Sequence, residues 1–338
     1  MLCDQNPHEH DHLLTFVEEN HAYTYTPTGE KVRISMSGIL KRGFPDDFDG
    51  ASVTKKHFAS WLRDDTHKYW GLCNYLMLVQ NLTRAQAELE IQKLWAVNNE
   101  KARDDGTGMH QLLEDYINGQ WKPELPPDGG LIPGKPPHEI VCYLGLLDQV
   151  RERFPDLDLK PWRTEFKMVV THTFEHQTHD EIPYDVTIPV CCGTADLLMI
   201  DKLGRIWIFD WKRVDPKKKG KLGKRKASEL FPDTDAVGFM EGYKNNAFTK
   251  YSAQLMGYKW MFEKGGYLKE GQQVAGCFIV QIHPDLSNAH WIEAGEGLGD
   301  EFEDQVYAMM EDEIARARGE KKAALDGPHC FYLHEPPF

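Results

Sequence analysis

Residues 193–212, GTADLLMIDKLGRIWIFDWK, constrain the fold more tightly than any other part of the chain. Ile206, Trp207, Ile208, Phe209 and Trp211 make the second half apolar on both faces. A strand of that kind belongs near the middle of a sheet that is covered on both sides. An apolar run precedes it, and between the two Gly204 stands where a three-residue hairpin loop needs a left-handed residue. If Asp201 faces Arg205, pairing outward from the turn sets Asp196 opposite Asp210. Like charges facing across a ladder cost up to ~1 kcal/mol, so a cation is expected between them. A hard divalent ion such as Mg²⁺ takes oxygen ligands of this kind, and the Trp211 carbonyl can add another. Strand side chains alternate, so Asp210 and Lys212 share a face, with the ammonium in reach of an attacking water or a phosphate. Asp-x-Lys is commonplace on solvated strands; in a strand apolar on both faces, an uncompensated Asp and Lys are costly.

The pattern around this hairpin predicts a strand over 162–173, strands over 190–201 and 205–212, a helix over 246–264, a strand over 273–283 and a helix over 301–318. With an amphipathic helix over 139–154 ahead of them, the order is αβββαβ. That order implies an α/β fold, a mixed central sheet with helices packed over it. Further upstream, residues 22–26 and 32–37 read as a small hairpin turning at Pro27 and Gly29. Residues 51–119 have helical periodicity, with a Thr83-x-x-Gln86 capping box opening the run that holds Ala87, Ile91, Leu94 and Trp95. The Pro- and Gly-rich residues 121–137 predict a loop. The expected division is an N-terminal hairpin and helical region packed on the core (1–160), the core itself (161–320) and a C-terminal tail (321–338).

With 41% hydrophobic residues in 338, the chain can build a substantial core. A formal charge of −14, from 39 basic and 53 acidic residues, argues against coating nucleic acid with the whole surface, so any polyanion must bind locally. The basic run over 211–226, with Lys217, Lys218, Lys219, Lys224 and Arg225, reads either as a solvated loop or localisation signal or as a phosphate-binding segment. Its position directly after the Asp210 and Lys212 strand favours the last. Seven cysteines, two of them adjacent at Cys191 and Cys192, and no CxxC pair point to reduced thiols and away from a zinc ribbon. No apolar run approaches the about 18 residues of a membrane span, and the start MLCDQNPHEHDH lacks leader character. A soluble intracellular protein, cytoplasmic or nuclear and without membrane contact, is the expectation. His8, His10 and His12, and His172, His176 and His179, read as polar segments, since neither group carries a complete ligand set on a rigid element. A zinc hydrolase built on them is a competing class.

Gly193-x-x-Asp196, Asp210-x-Lys212 and Gln254-x-x-x-Tyr258 together resemble the signature of the PD-(D/E)XK nucleases, specifically the RecB-like exonuclease branch. Upstream, Gly106-Thr-Gly-Met-His110-x-x-x-Glu114 resembles the histidine motif of that branch. The resemblance covers residues 106–283. A looser likeness of residues 34–45, ISMSGILKRGFP, to the mitochondrial genome maintenance exonuclease and phage or viral relatives extends it. Each motif alone is weak, whereas four in the family's order are specific.

The resemblance implies a restriction-endonuclease-like core in which Asp196 and Asp210 bind Mg²⁺ or Mn²⁺, Lys212 acts with the attacking water, and His110 serves as a metal or phosphate ligand. Glu165 is the candidate for the acidic residue that the family often carries on its first core strand or the preceding helix. On the residues alone, His110 and Glu114 also fit a surface pair, and Arg163, Glu165 and Lys167 the polar face of an alternating strand. Gln254 and Tyr258 share one helical face; by resemblance Gln254 positions Lys212 or DNA, and Tyr258 supports the site or contacts a nucleotide. Relatives with an iron–sulfur cluster have a cysteine group after this helix; only Cys277 and Cys330 follow it here, so no cluster is expected. No phosphate-loop motif is present, so no ATP motor is expected either.

The function implied is a metal-dependent DNA exonuclease acting on single-stranded ends, leaving 5′-phosphate and 3′-hydroxyl products, in the company of replication, recombination or repair proteins. The N-terminal helices would then form a passage for a single strand. The competing readings are a structure-specific endonuclease on flapped or branched DNA and an inactive nucleic-acid-binding module of the same fold.

Overall fold

The computed structural model describes residues 1–17, 22–45, 48–122, 136–177, 182–214 and 234–326. Contacts divide the chain into two compact units, one formed by Met1–Pro45 with His110–Phe338 and the other by Asp46–Met109. The elements in chain order are α1 (Leu2–Gln5), β1 (Leu14–Val17), β2 (Ala22–Tyr25), β3 (Glu30–Lys31), β4 (Ile34–Ser35), α2 (Met36–Gly43), α3 (Gly50–Arg63), α4 (Trp70–Asn74), α5 (Arg84–Ile117) and α6 (His138–Arg153). They continue as β5 (Lys160–Gln177), β6 (Pro183–Ile200), β7 (Ile206–Lys212), α7 (Ala247–Lys264), β8 (Val274–Gln281), β9 (His290–Glu293) and α8 (Glu301–Leu325). From α6 to β8 this is the αβββαβ order expected from the sequence, an α/β fold around a mixed sheet.

The hub of that sheet is β6. It pairs antiparallel with β5 along most of its length, antiparallel with β7 from Leu197 to Ile200, and parallel with the short β4 at Cys191 and Cys192. β7 runs parallel to β8, and β9 closes the far edge antiparallel to β8. The two apolar faces of β7 find separate partners. Ile206 and Ile208 join the cluster with Phe248, Leu255 and Met261 of α7, while Trp207 meets Phe154 and Trp211 meets Tyr143 beside α6. Cover on both faces is what that strand's composition demanded.

The turn between β6 and β7 follows the expected register, with Ile200 facing Ile206 and Gly204 left-handed at φ 78°. Asp201 does more than start the pairing. Its buried carboxylate accepts the backbone N–H groups of Leu203 and Arg205, at 2.9 and 3.0 Å, the Arg205 Nε at 2.6 Å and the Trp207 indole N–H at 3.1 Å. Removing such an acceptor leaves buried donors unmatched, which costs on the order of 1–3 kcal/mol.

The hairpin expected to turn at Pro27 and Gly29 forms, with Gly29 left-handed at φ 70°, but its second arm is β3 with Val32, whose N–H donates to the Tyr23 carbonyl at 2.8 Å, and not residues 32–37. β2 pairs with β1 on one side and with the two-residue β3 on the other. The chain then passes from this small sheet to the main one: Arg33 bonds Glu313, Ile34 and Ser35 pair with β6, and Ser35 caps α2 by accepting the Gly38 N–H at 3.4 Å. A cap of this kind ends extended structure and starts a helix.

Within Asp46–Met109, α3, α4, a π turn over Tyr75–Val79 and the first part of α5 enclose Phe58, Trp61, Cys73, Leu76, Ala87 and Ile91. Thr83 and Gln86 bond reciprocally at the start of α5, as the capping box requires. Among the described residues no helix is long and apolar enough to cross a membrane, and the described cysteines are free thiols.

Candidate metal and phosphodiester site

The site forms where the pleat of the sheet breaks. Side chains of a strand alternate, so residues three apart should point to opposite faces. On β6, however, Ala195 and Leu198 both join the α7 cluster, and on β5 Arg163 lies over the Phe166 ring at 4.9 Å. The phase resets between them. Glu165 has φ 45°, left-handed for a residue with a side chain, and it sits at the gap in the ladder between Thr164↔Leu197 and Phe166↔Ala195, opposite Asp196. Such a conformation costs about 1–3 kcal/mol and is characteristic of functional sites. Arg163, Glu165 and Lys167 are thus not one alternating polar face: Arg163 turns away and bonds Asp11 at 2.8 and 3.0 Å.

The displaced pair faces the end of α5. His110 Nδ1 lies 3.4 Å from Asp196 Oδ1 and 3.9 Å from Glu165 Oε1. One ligand atom from each of the three residues falls within 4.8 Å of the others. The α5 end is fixed to β5 by Asn118, whose side chain donates to Thr164 Oγ1 at 2.8 Å. Gly106 and Gly108 lie inside α5, and a Cβ at either would meet nothing within 4 Å among the described residues.

Across the sheet, the ladder from Ile200↔Ile206 stops at Leu197↔Phe209, one step before Asp196 and Asp210. There Asp196 Oδ2 takes the place of a strand partner and accepts the Trp211 N–H at 2.7 Å. One carboxylate oxygen is anchored on the backbone, and the other is presented to His110. Asp210 Oδ2 meets the Lys212 ammonium and, that contact aside, has no hydrogen-bond partner among the described residues although it is fully buried. Lys212 Nζ also lies 4.8 Å from the centre of the Tyr251 ring.

Charge is concentrated here at the expense of solvation. Burial alone would favour a neutral His110, but Asp196 and Glu165 override it and lift its pKa to about 10. Burial likewise opposes ionisation of Asp196, yet His110, Lys212 and the Trp211 N–H hold it below the usual carboxylate range. Glu165 is raised, chiefly by burial. Asp210 is lifted to about 6 by burial, with Asp196 adding to the effect and Lys212 opposing it. Lys212 would be lowered by burial, but Asp210 and Asp196 more than offset this and raise it. Two carboxylates, Asp196 and Glu165, and the His110 imidazole form a donor set suited to a divalent cation; Asp210 is not in that group.

Gln254 and Tyr258 share a face of α7, with the amide donating to the phenol oxygen at 2.8 Å. The Tyr258 ring explains Gly193: a Cβ there would stand 2.6 Å from Tyr258 Cε1, so only glycine lets the ring pass. Residues the sequence reading did not single out also border the site. Tyr251 lies under Lys212, and Tyr23 shares a 3.2 Å hydrogen bond with Thr194, two residues before Asp196. Their signal was faint; only the three-residue step from Tyr251 to Gln254 places the former on the right helical face. Lys217, Lys218, Lys219, Lys224 and Arg225 lie outside the described residues, as does His179. The N-terminal histidines are not a loose polar segment: His8 stacks on Tyr267 and contacts its carbonyl at 3.1 Å.

The chain matches the family model of the PD-(D/E)XK nuclease superfamily over residues 83–332. None of the curated proteins compared with it matches. Fourteen chains of solved structures match. One of them, described as "Crystal structure of SSO0001", is 18% identical, with 57% of this chain and 71% of that chain covered and a TM-score of 0.23. The family match spans the His110 helix, the central strands and the Gln254 helix, and on it the chain belongs to the PD-(D/E)XK nuclease superfamily, a family of metal-dependent phosphodiesterases.

Proposed function

We propose that this protein is a RecB-like exonuclease that hydrolyses DNA from single-stranded ends. The observation that carries the chemistry is the convergence of His110, Glu165 and Asp196 beside the buried Asp210 and Lys212. Asp196, Asp210, His110 and Glu165, with the Trp211 carbonyl, would hold Mg²⁺ or Mn²⁺. Such an ion, when bound, supplies an acidified water and neutralises phosphate charge.

The chain's own groups do the rest. Asp196 is pinned through Oδ2 to the Trp211 N–H, which fixes the direction of Oδ1. His110 is aimed by two carboxylates. Lys212, beside Asp210, would orient the attacking water and offset charge developing on the phosphate. Gln254 and Tyr258 support this wall of the site, and Lys217, Lys218, Lys219, Lys224 and Arg225 would meet the substrate's backbone phosphates. Work at DNA ends of this kind belongs to repair, recombination or replication, whose proteins are the partners proposed.

Linear and circular single-stranded DNA of one sequence separate the readings. With Mg²⁺ or Mn²⁺, end-labelled linear DNA is degraded progressively and the circle is spared; chelator abolishes the degradation. Cutting of the circle at a comparable rate would replace the exonuclease reading with an endonuclease.

A further inference from the structure

We propose that Tyr251 is a positioning residue for Lys212, a role that rests on the reading of Lys212 given above. Among the described residues the Lys212 ammonium contacts the Asp210 carboxylate two residues back on β7 and the face of the Tyr251 ring on α7. The carboxylate has a second duty. Asp210 belongs to the proposed ligand set, and a carboxylate shared with a divalent cation attracts a nearby ammonium less. A lysine held only by that carboxylate would loosen as the site fills.

The ring does not suffer this competition. Its attraction for the ammonium comes from its π face, carries no net charge to be neutralised, and is strongest where water is excluded. Lys212 is such a case, with its side chain 16% exposed. Tyr251 is half-buried and packed against the main core, so its ring has a fixed place. It stands three residues before Gln254 and seven before Tyr258, on the same α7 face. Along that face Tyr258 lies against Gly193 of β6 and Tyr251 against Lys212 at the end of β7. Tyr251 keeps the ammonium directed at the reacting phosphate when Asp210 turns to the cation.

The test uses the full-length protein with Tyr251→Phe, Tyr251→Leu and Tyr251→Met, each also combined with Lys212→Ala, on end-labelled single-stranded DNA under enzyme excess. A cation–π contact of ordinary strength corresponds to roughly a tenfold loss. Tyr251→Leu and Tyr251→Met are expected to lower the maximal rate by about that factor with the KM unchanged, while Tyr251→Phe stays within about twofold. In the Lys212→Ala background the same changes are expected to add no further loss. DNA affinity measured with Ca²⁺ is expected to stay level in all variants, and thermal unfolding shows which are folded.

Three results would overturn the role of Tyr251: equal losses in Tyr251→Phe and Tyr251→Leu, a full loss persisting without Lys212, or a loss confined to DNA affinity. Wild-type rates in Lys212→Ala would instead overturn the reading of Lys212 itself, and this inference with it.

Discussion

Lys212→Ala and Asp210→Asn are expected to lower DNA cleavage by about a hundred- to a thousandfold while the protein stays folded, the range observed when one preorganised charge-stabilising group is removed. Each removes a charge from a place where charge is hard to maintain. Asp210 is buried and lifted to about 6, so its ionised form is held at a cost to the folded state. A carboxyl raised in this way favours folding more at low pH than at neutral pH. Asp210→Asn removes that cost but also leaves the Lys212 ammonium without its carboxylate, so a modest fall in unfolding temperature at pH 7 is expected, far smaller than the loss of activity. Cleavage assays beside thermal melts check this; a variant already unfolded at the assay temperature would make the lost activity a folding effect.

The second large effect lies away from the site. Glu313 on α8 is fully buried and receives two guanidinium groups, Arg33 at 2.6 Å and Arg42 through its other oxygen. Arg33 also bonds Glu320. The cluster ties α8 to the residues that flank β4 and α2, beside the β6 segment leading to Gly193. Glu313→Ala would leave two cations facing a buried void, and breaking a buried pair from one side costs about 3–5 kcal/mol. For a unit of this size that corresponds to a fall on the order of 10 °C in melting temperature. Arg33→Met with Arg42→Met in the Glu313→Leu background is expected to recover most of the loss, because apolar replacement of a whole buried cluster can be neutral. A drop of only a degree or two in Glu313→Ala would show that the cluster is not fully desolvated.

The sequence revealed the central sheet because its evidence is local and redundant. Ile206 to Trp211 is apolar at every position but Asp210, Gly204 marks the turn, and together they set the register that the structure has. The helices around it were legible from periodicity and from the Thr83 capping box. What lay beyond the sequence depends on contacts between distant segments. Within residues 32–37 only Ile34 and Ser35 form a strand, and it pairs with Cys191 and Cys192, far along the chain, while Arg33 bonds Glu313, 280 residues on. The left-handed backbone at Glu165 has no local cause such as glycine or asparagine, so the break in the pleat that brings Glu165 and Asp196 to His110 could not be read from alternation. Gly193 was conspicuous by its spacing, but its reason, the Tyr258 ring, lies on another element.

Binding of Mn²⁺ by titration calorimetry, on the wild-type protein and on Asp196→Ala, tests the site most directly. Wild type is expected to show saturable heat that Asp196→Ala, still folded by its melting curve, has lost. Equal affinity in the two proteins would contradict the assignment of the cation to the carboxylates gathered around His110.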